Sequence, residues 1–146
     1  MAIWQYTFEI IPRQSLVKMG LTDFLTDDDY EKYNFWENIN DGIEFFSSLI
    51  VEMGISEILN DDIVIYGNED STCIKIFFEN YKITGVIVRI DIRYNYSLIV
   101  NSIVKFCTSN ELIILDDLKI LDLNAELISQ RIENSNQIAM YKKLLG

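Results

Sequence analysis

Histidine is absent from this 146-residue chain, and cysteine and proline are scarce. Without histidine the chain lacks the commonest general base and the commonest metal ligand, which excludes His-dependent triads, typical zinc sites and histidine switches at neutral pH. The two cysteines, Cys73 and Cys107, have no CxxC spacing, and each falls inside an apolar pattern. We therefore expect reduced core cysteines, and neither a disulfide framework nor a redox site.

Features of membrane proteins, nucleic-acid-binding proteins and enzymes are missing as well. There is no run of about 18 apolar residues, and the first residues lack the charged start and cleavage site of a signal peptide, so we expect a cytosolic protein. The sequence has no GxSxG, no glycine-rich phosphate loop, no GxGxxG and no HExxH. Its paired bases are limited to Lys142 and Lys143. The sequence thus predicts no catalytic residue, no cofactor, no metal and no nucleic-acid or membrane partner, and a protein that is not an enzyme.

The charge that is present is strongly negative and unevenly placed. The chain has 23 acids and 12 bases, for a net charge of −11, and the segment from Asp23 to Asp70 holds fourteen of the acids with Lys32 as its one base. We call this segment the acidic half. Because the field at a surface follows the local sum of charges, the acidic half should attract basic partners and repel nucleic acid and anionic lipid.

Two periodicities of the apolar residues, one of two residues and one of three to four, predict the strands and helices. Alternation of apolar and polar residues predicts strands at 3–11, 63–66, 72–78 and 83–93, and a short strand or hairpin over 111–121. Spacings of three and four predict a helix from Asn34 to Gly54 whose apolar stripe is Trp36, Ile39, Ile43, Phe46, Ile50 and Met53. Shorter helices are predicted at 15–19, at 55–59, from 95 or 97 to 106, and on both sides of a break at 134–136.

Strands and helices that are grouped, without regular βαβ alternation, are typical of the α+β class. We therefore predict one α+β domain over residues 1–146, with a mainly antiparallel sheet of about five strands and helices packed on it.

The best candidate for a binding surface lies at the start of the acidic half. Three successive carboxylates there are followed by aromatic rings interleaved with charged residues, a composition typical of the centres of protein interfaces. The predicted partner-binding residues are Asp27, Asp28, Asp29, Tyr30, Glu31, Tyr33, Trp36, Glu37 and Asp41.

Other interpretations of this loop remain open. Thr26 or Asp27 could cap a short helix in a solvated loop whose rings point inward. As a calcium loop the stretch lacks the central glycine, so weak incidental cation binding is the most it supports. A catalytic site would need a carboxylate with a perturbed pKa, and only Glu9 and Asp91 have neighbours that suggest one. For Asp91, charge pairing on an open sheet face is the favoured explanation.

Three segments together carry a resemblance: the opening Trp4–Pro12, the strand Val88–Arg93 that is followed at once by a helix, and Asn134–Ala139 before an amphipathic tail. They resemble the small acidic immunity proteins of bacterial polymorphic toxin systems. The resemblance implies a cytosolic inhibitor that binds a toxin domain and blocks its active site. An acidic inhibitor would suit the basic cleft of a nuclease toxin.

The chain is also similar to the dimeric chaperones of type III secretion effectors in its size, its acidity and its order of elements. This likeness implies a homodimer that binds an effector protein. The extra N-terminal strand departs from the chaperone pattern. An enzyme that uses only carboxylates is a third interpretation.

Overall fold

The structure is a computed structural model, and it describes residues 2–20, 25–32, 34–37, 46–49, 55–60 and 62–146. The strands are β1 (Gln5–Pro12), β2 (Ile55–Asn60), β3 (Ile63–Gly67), β4 (Cys73–Glu79), β5 (Lys82–Asp91), β6 (Leu112–Asp116) and β7 (Lys119–Leu121). The helices are α1 (Arg13–Met19), α2 (Asp27–Lys32), α3 (Ser97–Ser109), α4 (Ala125–Glu133) and α5 (Asn136–Leu144).

The described strands form one antiparallel sheet in the order β2-β3-β4-β5-β1-β6-β7. The predicted α+β class and antiparallel sheet are therefore confirmed. The sheet has seven strands in the described part of the chain, where the sequence indicated about five. The first strand lies inside the sheet, because Tyr6 pairs with Ile90 of β5 while Ile10 pairs with Ile114 of β6.

Two local predictions were wrong and a third lies largely outside the described residues. The predicted helix at 55–59 is strand β2, and residues 27–32 of the predicted loop over 22–33 form helix α2. Of the predicted helix from Asn34 to Gly54, the structure describes a turn at 34–37 and a helical turn at 46–49. Its stripe residues Ile39, Ile43, Ile50 and Met53 lie outside the described residues.

One face of the sheet forms the main core with the helices. The buried side chains of Phe8 and Ile10 in β1 and of Val88 and Ile90 in β5 belong to the same cluster as buried residues of α3, α4 and α5. The helices contribute Val100, Ile103, Phe106, Cys107, Ile128, Ile132 and Ile138. Because β1 supplies the alternate positions Phe8 and Ile10, its polar residues must point to the opposite face.

The opposite face carries polar groups that the fold buries. Gln5 is buried, and its amide donates to the carbonyls of Glu69 at 2.8 Å and Ser71 at 2.6 Å. Across the sheet, the Asp91 carboxylate accepts from the Ser71 hydroxyl at 2.7 Å. These bonds satisfy two buried side chains and fasten the loop between β3 and β4 to the centre of the sheet.

The remaining sequence expectations concern the cysteines and membrane insertion. Cys73 and Cys107 are both free and buried, as their apolar surroundings predicted. Burial raises the pKa of the Cys107 thiol to about 12, so it is a poor nucleophile. Within the described ranges, no helix has the length and apolar character needed to cross a membrane.

Candidate functional site: an acidic surface around the second helix

The three successive aspartates of the predicted site form the first turn of α2. The Thr26 hydroxyl accepts from the Asp29 backbone N–H at 3.1 Å, while the Asp29 carboxylate accepts from the Thr26 hydroxyl at 2.8 Å and from its N–H at 3.3 Å. This reciprocal cap satisfies backbone donors that a helix end leaves open, and negative charge is favoured at that end. The alternative in which Thr26 caps a short helix is therefore what the structure shows.

The cap divides the three aspartates into two groups. Asp29 is committed to its bonds with Thr26 and is half-buried, whereas Asp27 and Asp28 are exposed. Asp27 and Asp28 are therefore the two aspartates of this turn whose charge is free to meet a partner.

Trp36 must be removed from the predicted contact residues. It is 1% exposed and packs against Phe46 with ring centroids 6.1 Å apart. Phe46 in turn lies 5.4 Å from Phe106 of α3. The burial of Trp36 that the apolar pattern predicted is confirmed, and a buried indole cannot contact a partner.

Tyr30 keeps part of its ring accessible. It is 40% exposed, lies against Phe35 with centroids 6.1 Å apart, and donates its hydroxyl to the Glu9 carboxylate at 2.7 Å. Burial and the bond to Glu9 both raise the pKa of Tyr30, so it remains a neutral donor. This bond places α2 against the polar face of the sheet.

The structure describes only some of the other predicted contact residues. Glu37 is exposed. Tyr33, Asp41 and the side chain of Glu31 lie outside the described part of the structure, so their predicted contacts stay predictions.

A pocket of about 360 Å³ lies between α2 and the sheet. Three carboxylate residues line it: Glu9 from β1, Asp27 from α2 and Asp117 from the turn between β6 and β7. Its apolar wall includes Ile87, Leu115 and Leu118, and none of the described residues lining it is basic. We call it the acidic pocket.

Glu9 of this pocket has a perturbed pKa. Burial raises its pKa, and the hydrogen bond from Tyr30 offsets only part of that effect. Sequence reasoning identified Glu9 as a candidate for perturbation because its strand is otherwise aromatic. Asp117 was not identified, since it lies about 90 residues from α2 in the chain and only the hairpin between β6 and β7 brings it there.

The ion pairs among the described residues do not neutralise the acids around α2. The described residues form four ion pairs, and none of these involves Asp27, Asp28, Glu37 or Asp117. Within the acidic half, Glu69 does pair with Lys75, at 2.8 Å. The acidic half is therefore partly neutralised at Glu69, while no ion pair among the described side chains involves the acids around α2.

Asp91, the second acid predicted to be perturbed, has a structural role. It is 3% exposed, so the predicted open sheet face is wrong at this position. Burial opposes its ionisation, but hydrogen bonds from Arg93 and Ser71 outweigh that effect and hold the pKa of Asp91 below its ordinary value. The Arg93 guanidinium also stacks on Trp4, 4.4 Å from the ring centroid.

A second buried carboxylate ties the helices to the sheet. Asp116 accepts from the Tyr6 hydroxyl at 2.6 Å and from the Arg131 guanidinium of α4 at 2.5 Å. Both donors bind the same oxygen, and the charge is neutralised within the fold. A polar pocket of about 680 Å³ opens beside this group, lined by residues of the α4–α5 junction.

The described residues contain no group of three or more acids, cysteines or histidines arranged to hold a metal ion. The carboxylates of Glu9, Asp27 and Asp117 beside an apolar wall can attract and hold cationic groups. Comparison of the chain with protein-family models, with curated proteins and with solved structures found no match.

Proposed function

We propose that this protein is a non-catalytic, cytoplasmic immunity protein, which binds a secreted toxin through the surface around α2 and covers the toxin's active site. The observation that carries the proposal is the acidic pocket, where Glu9, Asp27 and Asp117 surround an apolar wall without a basic neighbour among the described residues. The likeness to immunity proteins found in the sequence supports the choice of partner.

The pocket suits the side chain of a lysine or an arginine. Both have an aliphatic stem that gains from apolar contact and a cationic end that needs carboxylates. In the acidic pocket the stem would lie along Ile87, Leu115 and Leu118, and the charged end would meet Glu9 and Asp27. A toxin with a basic cleft, such as a nuclease, presents such side chains around its active site.

The exposed acids outside the pocket would act mainly on the rate of association. Asp28 and Glu37 make no ion pair within the described chain, so their field extends into solvent. Such charges steer an oppositely charged partner and increase the association rate, while buried contacts such as the Tyr30 ring slow dissociation.

The test replaces Asp27 and Asp28 together by Asn and keeps Asp29, so that the cap of α2 remains intact. The partner is the protein that copurifies with the wild-type chain, identified by mass spectrometry, and association rates are measured against ionic strength. We expect an association rate about tenfold lower at low salt and a weaker salt dependence, because two steering charges are lost.

The matched control neutralises two exposed acids at the start of α4, Asp122→Asn and Glu126→Gln, and should leave the association rate almost unchanged. An equal effect of both pairs would show that only total charge matters and would remove the α2 surface from the proposal. Protection of cells against the copurified toxin, present with the wild-type chain and weakened in the Asp27/Asp28 variant, tests the immunity role itself.

One observation favours a second candidate function, a secretion chaperone. A largely apolar groove of about 610 Å³ lies between the start of α3, α4 and α5, and Tyr94, Tyr96, Ile138 and Tyr141 line it. Chaperones hold unfolded effectors on apolar surfaces of this kind. A stable homodimer on a sizing column, together with an unfolded copurified partner, would favour the chaperone over the immunity protein.

A further inference from the structure

The turn between β4 and β5 has an unusual residue at its tip. Glu79 pairs with Lys82, so Asn80 and Tyr81 alone form the turn, with φ angles of 52° and 65°. A two-residue turn with positive φ at both positions strongly favours Asn-Gly, because a side chain is strained in the left-handed region. Asn80 tolerates that region, but Tyr81 stands where glycine is expected.

The hairpin between β6 and β7 shows how this fold offsets the same strain elsewhere. Its turn consists of Asp117 and Leu118, with φ angles of 49° and 70°. The Leu118 side chain packs against the main core, and its carbonyl accepts from the Leu25 backbone N–H at 2.8 Å. The left-handed Leu118 therefore gains contacts within the protein that compensate for its backbone.

Tyr81 gains no such contacts in the part of the chain that the structure describes. Its side chain is 95% exposed, the highest value among the exposed large apolar residues. Strained backbone clusters at sites that contact a ligand or a partner. The φ angle and the exposure thus single out the same residue.

We propose that Tyr81 is an anchor residue that inserts its ring into an apolar pocket of the partner protein. The inference rests on the proposed function in one respect, that the partner is the protein bound by the α2 surface. Tyr81 immediately precedes β5, and Ile87 of the acidic pocket lies six residues further along the chain, which is about 20 Å along a strand. A standard interface of about 800 Å² per partner, roughly 30 Å across, covers both.

The surroundings of Tyr81 favour a protein over a membrane or a nucleic acid. The flanking Glu79 and Lys82 have opposite charges and cancel each other, and the chain as a whole carries −11. Neither feature attracts phosphate groups. An aromatic ring with a hydroxyl at its end is typical of residues that dominate protein interfaces, where the ring is buried and the hydroxyl finds a donor or acceptor.

The first experiment places a photoreactive phenylalanine analogue at position 81 of the full chain, in cells where the wild-type chain copurifies with its partner. The control carries the analogue at Leu98, which is 80% exposed on α3. We expect an adduct with the copurifying protein from position 81 and none from position 98. Equal adducts from both positions, an adduct with a second copy of the chain or with lipid, or no adduct would overturn the proposal.

The second experiment compares stability and affinity in the variant Tyr81→Gly. Glycine relieves the left-handed strain, so we expect the midpoint of thermal unfolding to rise by about 2 °C. Loss of the ring should weaken binding of the copurified partner by about thirtyfold or more, mainly through faster dissociation. Higher stability with lower affinity is a result that a merely structural role of Tyr81 does not give.

Two control variants keep this inference separate from the proposed function. Leu118→Gly should lower the unfolding midpoint, because Leu118 packs on the core, and Leu98→Ala should leave affinity unchanged. If Tyr81→Gly binds as tightly as the wild type while Asp27→Asn/Asp28→Asn slows association, the anchor is wrong and the acidic surface stands. If Tyr81→Gly weakens binding while Asp27→Asn/Asp28→Asn leaves the association rate unchanged, the anchor stands and the acidic surface is wrong. If no protein copurifies, both proposals are wrong.

Discussion

Glu9 and Asp91 show that burial alone does not decide the pKa of a carboxyl group. Both lie on the polar face of the sheet, yet the pKa of Glu9 is raised and that of Asp91 is lowered. Glu9 accepts from a neutral tyrosine hydroxyl, whereas Asp91 accepts from a guanidinium, a backbone N–H and a serine hydroxyl. Charged and multiple donors outweigh desolvation, and a single neutral donor does not.

The variant Glu9→Gln tests this difference through the pH dependence of stability. Because the folded protein holds the Glu9 proton more tightly than the unfolded chain does, the stability contributed by Glu9 is largest at low pH and falls as pH rises from about 4.5. Gln keeps an acceptor for Tyr30 and has no proton to lose. We therefore expect urea unfolding to show a stability gain of the variant over the wild type that grows between pH 4 and pH 7.

The exposed Glu79 provides the matched control, since Glu79→Gln changes the same atoms without removing a buried carboxylate. Parallel pH profiles for Glu9→Gln and the wild type would contradict the raised pKa. The perturbation of Glu9 could be predicted from its aromatic strand, but its donor could not. Tyr30 reaches Glu9 only because α2 folds back onto the sheet.

Helices whose first turn is capped by a neighbouring side chain were predictable from the sequence. Helix α4 begins at Asn124, whose side chain accepts from the Leu127 N–H, and α5 begins at Ser135, whose hydroxyl accepts from the Ile138 N–H. Strand β5 has the expected alternation of buried and accessible residues from Val86 to Ile90, whereas in β1 the alternation is broken because Gln5 and Ile11 are also buried.

Elements that depend on distant partners were predicted less well. The stretch ISEILN at 55–60 is short enough to fit a helical turn or a strand, and pairing with β3 makes it β2. The position of β1 between β5 and β6 depends on pairing across about 80 and about 100 residues. No local pattern contains that information, so the strand order was not predictable.

The cap of α2 makes a prediction at the scale of the element. Thr26→Ala removes the hydroxyl that accepts from the Asp29 N–H, and loss of such a cap costs about 1 kcal/mol. Helix α2 has six residues, so we expect this loss to open the helix locally and to speed hydrogen exchange at the Asp29 amide.

Thr108→Ala is the matched control, because the Thr108 hydroxyl donates to the Val104 carbonyl inside α3 and caps nothing. It should leave exchange at Asp29 unchanged. Slow exchange at Asp29 in Thr26→Ala would show that the three carboxylates of the first turn suffice to hold the helix. The partner's association rate should fall with the cap, since Asp27 and Asp28 lose their fixed position.

At the scale of the whole molecule, the acidic surface differs from the acidic half of the sequence. Folding adds Glu9 and Asp117 from other segments, and pairing with Lys75 neutralises Glu69. The composition therefore predicted a negatively charged surface centred on α2, but it did not predict which residues form that surface. Trp36 was assigned to both the core stripe and the interface, and the structure places it in the core.

The net charge of −11 also predicts how stability depends on salt. Folding brings the acids closer together than they are in the unfolded chain, so their repulsion destabilises the folded state, and salt screens it. Four ion pairs among the described residues act in the opposite direction, but pairs at the surface contribute little. We expect the free energy of unfolding to rise by roughly 1 kcal/mol between 0.01 M and 0.15 M NaCl.

The variant Asp27→Lys/Asp28→Lys distinguishes charge at the α2 surface from a general effect of salt. It changes the net charge from −11 to −7, because each exchange removes one negative charge and adds one positive charge. Its salt dependence in urea unfolding should be clearly weaker than that of the wild type, whereas the charge-conserving Asp27→Glu/Asp28→Glu should keep the full dependence. Identical slopes for all three proteins would mean that the acids around α2 lie too far apart to repel one another. They would then also be too far apart to act on a partner as one surface.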